Sequence, residues 1–575
     1  MDHHVLSLAM TGSGGAGVMT VGQILVDAAA RAGWYGLMRR SLGPQIRGGE
    51  SAALMRFGHR PILSHGDSFD LLLAYDWGNI NRFAAELPLR PDSVVLFDPD
   101  AGDVPEVIER TDARCVAAPL SAMAKTEKGV RANMVGLGLV ATALGLTPED
   151  LTEEMTKALG DKGEEILASS LAGLKMGAEL AADLPAGVFP NGGRPTPAAK
   201  PRWSITGNEA AGLGAIRGGI RFVAAYPITP STEILEWLAP NLAEVGGQLV
   251  QVEDELASVN MLVGASFGGV PSLTATSGPG LSLMLEGLGL SVSAEVPLTL
   301  IDVQRGGPST GIPTKSEQSD FNIAVYGMHG DAPHIVCAPT SIPDCLSTVQ
   351  WAVASAEAAQ CPAIVLSDQY MGQSRAIVDE PAAGGPVANR RIAAPEDGAA
   401  YKRYALTNDG VSPMSVPGVK GGEYTADGLA HNERGTPSTQ ASDHQSQLDK
   451  RERKLDILDC DEIWAETAGE GPIAVIAFGS LTEAAREAVE RAHGDARLIG
   501  VRVILPLQPE LMAEALKGVS KVLVVEQNHG GQFAKFLKGH YALPATVESL
   551  HRPGPLPIRP TEILAAITAL KGDAR

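Results

Sequence analysis

Residues 221–240, RFVAAYPITPSTEILEWLAP, decide the fold. RFVAAY is a short, β-rich apolar run, and Pro227 ends it. Thr229-Pro230 then opens a helix with STEILEWLA. Thr is a favoured N-cap, and Pro is preferred at the first helical position. The segment predicts a buried parallel strand that hands over to a helix N-terminus. In open α/β sheets ligands bind at that edge, and its free N–H groups favour carboxylate or phosphate. Taken alone, the stretch reads more readily as a well-capped strand–turn–helix with no ligand.

The neighbouring segments shift that balance. QLVQVEDELASVNMLVGASFGG (248–269) predicts a strand, then a helix with Glu255 in its first turn. PSLTATSGPGLSLMLEGLGLSV (271–292) predicts a strand, a Gly-rich turn and another helix. VPLTLIDVQRGGPSTG (296–311) predicts a strand ending on Gln304-Arg305. Thr229, Ser277-Gly278 and Arg305 are thus expected at the C-terminal ends of parallel strands, with Glu255 opening the helix after a fourth. In a doubly wound sheet these ends share one rim.

Together YPITPST (226–232), EDE (253–255), TSGPG (276–280) and VQRGGPSTG (303–311) resemble, in order and spacing, the α-subunit of 2-oxoacid:ferredoxin oxidoreductases. The resemblance spans essentially the whole chain and is strongest to the 2-oxoglutarate enzymes (2-oxoglutarate synthases). It implies oxidative decarboxylation of a 2-oxoacid, single-electron transfer to ferredoxin and capture of the acyl group on coenzyme A. Thiamine diphosphate would supply the carbanion chemistry, with the protein supplying orientation and electrostatics. A carboxylate must then polarise the cofactor's aminopyrimidine, and Glu255, the third residue of EDE, is the candidate. Glu253 and Asp254 better fit a plain helix N-terminal role. Arg305 suits the 2-oxoacid carboxylate, because guanidinium forks match carboxylates, and Thr229 can add a hydroxyl. Both match residues that the family uses for the 2-oxoacid. Tyr226, Pro227, Ile228, Ser277 and Gly278 are the further candidates for the vicinity of thiamine diphosphate.

The N-terminal segment has its own signature. HVLSLAM predicts a first strand, followed by GSGGAG (12–17) and a periodic helix from Met19. A Gly-rich strand-to-helix turn can cradle phosphates, although this spacing misses the dinucleotide fingerprint. With GPQIRGGES (43–51) it resembles the family's γ-subunit, separate in many members and fused in others. The family associates that domain with coenzyme A, so Gly14, Gly15, Arg47 and Gly48 are candidate contacts. Arg47 serves equally well as a structural ion-pair partner.

Length and composition bound the rest. At 575 residues the chain predicts three or four domains. These are a γ-like α/β domain at 1–185, a linker at 186–203 and a pyrimidine-type thiamine diphosphate domain at 204–385. An extended loop or linker at 386–455 follows, then an α/β domain resembling the transketolase C-terminal domain at 456–575. The fold class is multi-domain α/β. The loop-rich 386–455 segment is expected along a partner surface, with a basic helix starting at KRERKLD. A net charge of −21 argues against nucleic acid and anionic membranes as partners. No apolar run is long enough for a bilayer, and MDHHVLSLAM lacks signal-peptide architecture. A cytoplasmic enzyme is expected.

The five cysteines, Cys115, Cys337, Cys345, Cys361 and Cys460, form no CxxC pair. Iron–sulfur clusters need grouped thiolates, so this chain is expected to carry none and to hold no metal. EDG (396–398) and NDG (408–410) do not fit the GDG-type Mg²⁺–diphosphate motif of thiamine enzymes, because they do not follow a strand. The resemblance therefore implies a β-subunit that brings Mg²⁺, the diphosphate site and a [4Fe–4S] cluster, in an α2β2 assembly that reduces ferredoxin. Pyruvate and branched 2-oxoacids remain alternative substrates. Lys315 is a candidate second cation for the far carboxylate of 2-oxoglutarate. From other classes, a non-catalytic structural partner would have lost Glu255 or Arg305, and a nicotinamide dehydrogenase would carry a complete glycine fingerprint.

Overall fold

The computed structural model describes residues 5–43, 49–189, 202–395 and 400–572. It divides into two units, Met1–Thr206 with Gln373–Ala382, and Gly207–Gly372 with Ala383–Arg575.

The first unit is built on an eight-stranded sheet. At its centre Val5–Ser13, Glu50–Gly58 and Tyr35–Leu42 run antiparallel. Phe69–Ala74, Leu89–Phe97 and Arg114–Ala117 continue one side in parallel. The other side is completed from far along the chain. Arg375–Val378 pairs antiparallel with Tyr35–Leu42, and Trp203–Thr206 pairs with Arg375–Val378. The ranges 204–385 and 1–185 read from sequence thus differ from the structure. WSIT and RAIV are four-residue strands whose apolar faces close the N-terminal sheet, and such short runs do not declare their sheet. Residues 190–201 of the expected linker lie outside the described residues.

The second unit contains two sheets. In the seven-stranded one, Pro362–Asp368, Leu298–Gln304, Ser272–Thr276, Phe222–Ala225 and Gln248–Gln251 are neighbours in that order, all parallel. Ile335–Cys337 continues it in parallel beside Pro362–Asp368. Val503–Leu505, from the C-terminal region, joins its far edge antiparallel to Ile335–Cys337. The five-stranded sheet is ordered Ala465–Ala468, Ala496–Val501, Ile473–Phe478, Lys521–Glu526, Thr546–His551.

The described residues of 386–455 also belong to the second unit. The polar composition that reads as loop hides a helix, Ala441–Arg453, which starts well before KRERKLD. Arg403, Lys450 and Lys454 are fully buried around the equally buried Glu295. Lys450 Nζ bonds both Glu295 carboxylate oxygens at 2.7 and 2.8 Å, and Lys454 Nζ lies 2.7 Å from one of them. Arg403 Nη2 donates to the Glu295 carbonyl at 2.7 Å and to Gln360 Oε1 at 2.8 Å. Buried charges persist only when paired in this way.

Candidate active site

Because the neighbouring strands are parallel, their C-terminal ends form one edge, and four consecutive ends carry the expected side chains. After Phe222–Ala225, the turn Tyr226–Pro230 leaves Tyr226 and Thr229 exposed and Pro227 and Ile228 half-buried. Thr229 is not the helix cap. The helix is Thr232–Glu244, preceded by Ser231. The Ser231 N–H and Oγ both donate to the Ile228 carbonyl, at 2.9 and 2.8 Å, which closes a turn and holds Thr229 outside the helix. Asn208, buried in the Gly207–Gly218 helix, braces the same turn by donating to the Pro230 carbonyl at 3.0 Å. Sequence reasoning missed Asn208, whose role depends on a turn 22 residues away.

After Gln248–Gln251, Asp254 caps the next helix by accepting from the Ala257 N–H at 2.7 Å. That leaves Glu255 as the first helical residue, only 7% exposed. The helix is pinned to the sheet by Ser258, whose Oγ donates to the Ala224 carbonyl at 2.6 Å. Gly280 makes room for the Glu255 side chain: a Cβ there would sit 2.9 Å from Glu255 Oε1 and 2.0 Å from Thr276 Oγ1. The Glu255 carboxylate has no side-chain or backbone partner among the described residues. A buried, unpaired acid at a helix N-terminus is an acceptor in search of a donor.

After Ser272–Thr276, Ser277 precedes the helix Gly278–Ala294, with its Oγ buried and unpartnered among the described residues. Gly278 is required by close approach, since a Cβ there would lie 2.5 Å from the Asp320 carboxylate. After Leu298–Gln304, Arg305 is 6% exposed and donates from Nη1 to the Thr229 carbonyl at 2.5 Å. Thr229 and Arg305 therefore meet, but through the Thr229 backbone. Arg305 Nε has no partner among the described residues. Burial pulls the guanidinium's pKa down, against Asp320 and Asp302, which raise it.

The loop after Arg305 folds back on itself, with Gly306 N–H to the Lys315 carbonyl at 3.0 Å and Ile312 N–H to the Gly306 carbonyl at 2.7 Å. Gly311, at φ +56°, is obligatory there because a Cβ would fall 1.7 Å from the Gly306 carbonyl oxygen. Lys315 sits half-buried at the base of this hairpin. The C-terminal region grips the next residues. Gln318 N–H donates to the Gln527 carbonyl at 2.8 Å, and the Gln527 N–H returns to Gln318 Oε1 at 2.9 Å. Gln318 Nε2 donates to the Phe478 carbonyl at 2.9 Å. The five-stranded sheet thus holds the loop that leads into Asp320.

In the N-terminal unit, Gly17 (φ +81°) precedes the helix Val18–Arg31. A cavity of about 350 Å³ opens beside it, lined by Gly15, Gly17, Thr20, Arg131, Asn133 and Lys162 among others. Gly15 faces it, whereas the Gly14 N–H is spent on the Gly49 carbonyl at 2.6 Å. Arg47 and Gly48 lie outside the described residues. Arg131 and Lys162, the cations of this cavity, carry no sequence signal because each lies at an irregular boundary of a helical stretch.

Comparison with known proteins shows the family. The 2-oxoacid:ferredoxin oxidoreductase 2 subunit alpha of Aeropyrum pernix is 30% identical over 94% of this chain and 93% of its own length. The chain belongs to the 2-oxoacid:ferredoxin oxidoreductases, as an alpha subunit. Residues 213–450 of this oxidoreductase subunit match the family model "pyruvate flavodoxin/ferredoxin oxidoreductase, thiamine diphosphate-binding", and residues 7–180 match "pyruvate ferredoxin/flavodoxin oxidoreductase". The 2-oxoglutarate synthase subunit KorA of Methanothermobacter marburgensis is 37% identical over 64% of this chain and 98% of its own. Among solved structures, the 2-oxoglutarate:ferredoxin oxidoreductase from Magnetococcus marinus, with 2-oxoglutarate, coenzyme A and succinyl-CoA bound, superposes with a TM-score of 0.90. It is 33% identical and covers 99% of this chain and 100% of that one. As an oxidoreductase subunit, the chain has no helix among the described residues long and apolar enough to cross a membrane, and no group of metal-binding side chains.

Proposed function

We propose that this chain is the α-subunit, with a fused γ-like domain, of an enzyme that interconverts 2-oxoglutarate plus coenzyme A and succinyl-CoA plus CO2. Electrons pass singly to ferredoxin through a cluster in a β-subunit. The observation that carries this reading is Glu255, 7% exposed and without a partner among the described residues, on the same strand edge as Arg305. Names of relatives that include 2-oxoglutarate synthases and a whole-length structural neighbour with 2-oxoglutarate bound support the substrate. The broader name of the Aeropyrum pernix relative favours a second reading, a wider 2-oxoacid range.

The residues present fit thiamine diphosphate, which supplies the carbanion chemistry when bound. Glu255 would hold the aminopyrimidine through a hydrogen bond between its carboxyl and a ring nitrogen, and its burial would strengthen that bond. Ser277 Oγ and the Tyr226–Ile228 turn border the same edge. Arg305 binds the 2-oxoacid carboxylate with its unspent N–H groups, while the Thr229 carbonyl fixes the guanidinium. Lys315 supplies charge for a second carboxylate. Arg131, Lys162 and the Gly15 turn take the phosphates of coenzyme A in the N-terminal unit.

Mg²⁺ and the cluster belong to the β-subunit in this reading. Of the cysteines, Cys337, Cys345, Cys361 and Cys460 are buried and none joins a ligand group among the described residues. Leu256 and Leu283, at 52% and 51% exposed on the two helices that border the site, give that partner an apolar footing. An α2β2 complex in the cytoplasm completes the reading, as the family resemblance implies.

The test is viologen reduction by the chain co-expressed anaerobically with its β-type subunit, with thiamine diphosphate, Mg²⁺ and coenzyme A. Strong reduction with 2-oxoglutarate that falls about 10²–10⁴-fold in Glu255→Gln is expected. No reduction with 2-oxoglutarate, pyruvate or 2-oxoisovalerate, from a folded and cluster-loaded complex, sinks the enzyme reading. Lys315→Met is expected to raise KM for 2-oxoglutarate about tenfold or more and to leave pyruvate turnover unchanged. An equal effect on both acids removes Lys315 from specificity.

A further inference from the structure

Two acids beneath Arg305 have no place in the chemistry described so far. Asp302 lies within the apolar strand Leu298–Gln304 and is fully buried, with no donor to either carboxylate oxygen among the described residues. Asp320 immediately precedes the helix Phe321–Tyr326. Its backbone N–H donates to Gln304 Oε1 at 3.1 Å, Gln304 in turn donates to the Ser367 carbonyl at 3.1 Å, and Asp320 Oδ2 is buried without a donor. Gly278 lets the Asp320 carboxyl press against the start of the Gly278–Ala294 helix. If both acids were ionised, neither would have the donor it needs; one proton held between them supplies it. Burial, then Asp320, pushes Asp302 well up, and burial, then Glu317, pushes Asp320 to about 6.

The surrounding charges define the balance. Arg305 lowers both acids. Glu317, 8% exposed, raises Asp320 and is itself bonded by the Gly554 N–H at 3.1 Å, with His529 nearby. Asp368, at the end of the adjacent strand, is turned to the Met371 N–H at 2.9 Å. The Gly278–Ala294 helix has no acidic residue in its first turn. A singly protonated pair, charge −1, therefore balances Arg305. A substrate carboxylate that takes over the guanidinium removes this compensation, and the pair must then hold a second proton.

We propose that binding of the 2-oxoacid carboxylate at Arg305 is coupled to uptake of one proton by the buried Asp302–Asp320 pair. This rests on the function proposed above. Asp302 and Asp320 are positioning residues that set the charge facing the substrate. The sign follows from linkage: substrate raises the pair's affinity for a proton, so substrate affinity is full at low pH and falls as pH rises above the free pair's titration.

The test is the pH profile of viologen reduction by the αβ complex, with coenzyme A saturating. In the wild type, KM for the 2-oxoacid is expected to climb from about pH 6 upward, approaching tenfold per pH unit, while kcat changes far less. Asp320→Asn is expected to flatten the KM limb, Asp320→Glu to restore it, and Glu317→Gln to move it to lower pH without removing it. A wild-type KM that is flat between pH 6 and 8 overturns the proposal, and this arm needs no variant to fold. A limb that persists unchanged in Asp320→Asn also overturns it. Absence of turnover with every 2-oxoacid instead overturns the functional reading on which it stands.

Discussion

At the scale of single residues, the proposed site rests on groups left without a partner among the described residues. Arg305 spends one N–H on the Thr229 carbonyl and keeps Nε free in a buried place. Lysine would retain the charge but lose the fork. Arg305→Lys is expected to raise KM for the 2-oxoacid about 10–100-fold, the worth of a charge-assisted hydrogen bond. It should change the melting temperature little, because no fold contact other than the Thr229 carbonyl is lost. Steady-state viologen kinetics beside thermal unfolding separate the two effects; an unchanged KM moves the carboxylate site elsewhere. Arg305 was legible as a candidate because Leu298–Gln304 is buried along its whole length and a charge at the end of such a run stands out, and Glu255 because it is the acid that opens an apolar helix. An Asp in LTLIDVQ stands out as well, but its meaning needed Asp320, which reaches it from a loop. Thr229 was misplaced as a cap because Thr-Pro carries a strong N-terminal signal. Ser231, two residues on, takes the Ile228 carbonyl with both its N–H and its hydroxyl and starts the helix later.

At the scale of elements, apolar runs announced the strands, and polarity concealed how the 401–454 segment is fixed. Lys450 and Lys454 look like a solvated basic face, yet their partner is Glu295, some 155 residues earlier. Composition cannot show a pairing over that distance. Burial pushes the Glu295 carboxyl up, but Lys450, Lys454 and Arg403 outweigh it and hold it well below its ordinary value of 4.5. Its stabilising effect is complete above that value and is lost as pH falls below it. Glu295→Gln leaves buried cations uncompensated and is expected to cost about 3–5 kcal/mol. It should also blunt the loss of stability on acidification below pH 4.5. Urea unfolding of the chain at pH 7 and in the acid range measures both. A loss under ~1 kcal/mol at pH 7 would place the cluster among ion pairs of little net worth.

At the scale of the whole molecule, the first unit is discontinuous in sequence. Its sheet takes Trp203–Thr206 and Arg375–Val378 from opposite ends of a long excursion. The second of these supplies the ladder against Tyr35–Leu42, with Arg375, Ala376 and Ile377 opposite Met38, Leu37 and Gly36. A protease site engineered between residues 189 and 202 would cut the chain there without cutting this ladder. The sheet then behaves as a complemented one, in which a strand donated by the larger fragment completes the smaller. The two pieces are expected to elute together on size exclusion and to part only in denaturant, or when Ala376→Pro removes an N–H from the donated strand. Fusion and separation of the γ-like portion differ, on this view, by a peptide bond and not by an interface.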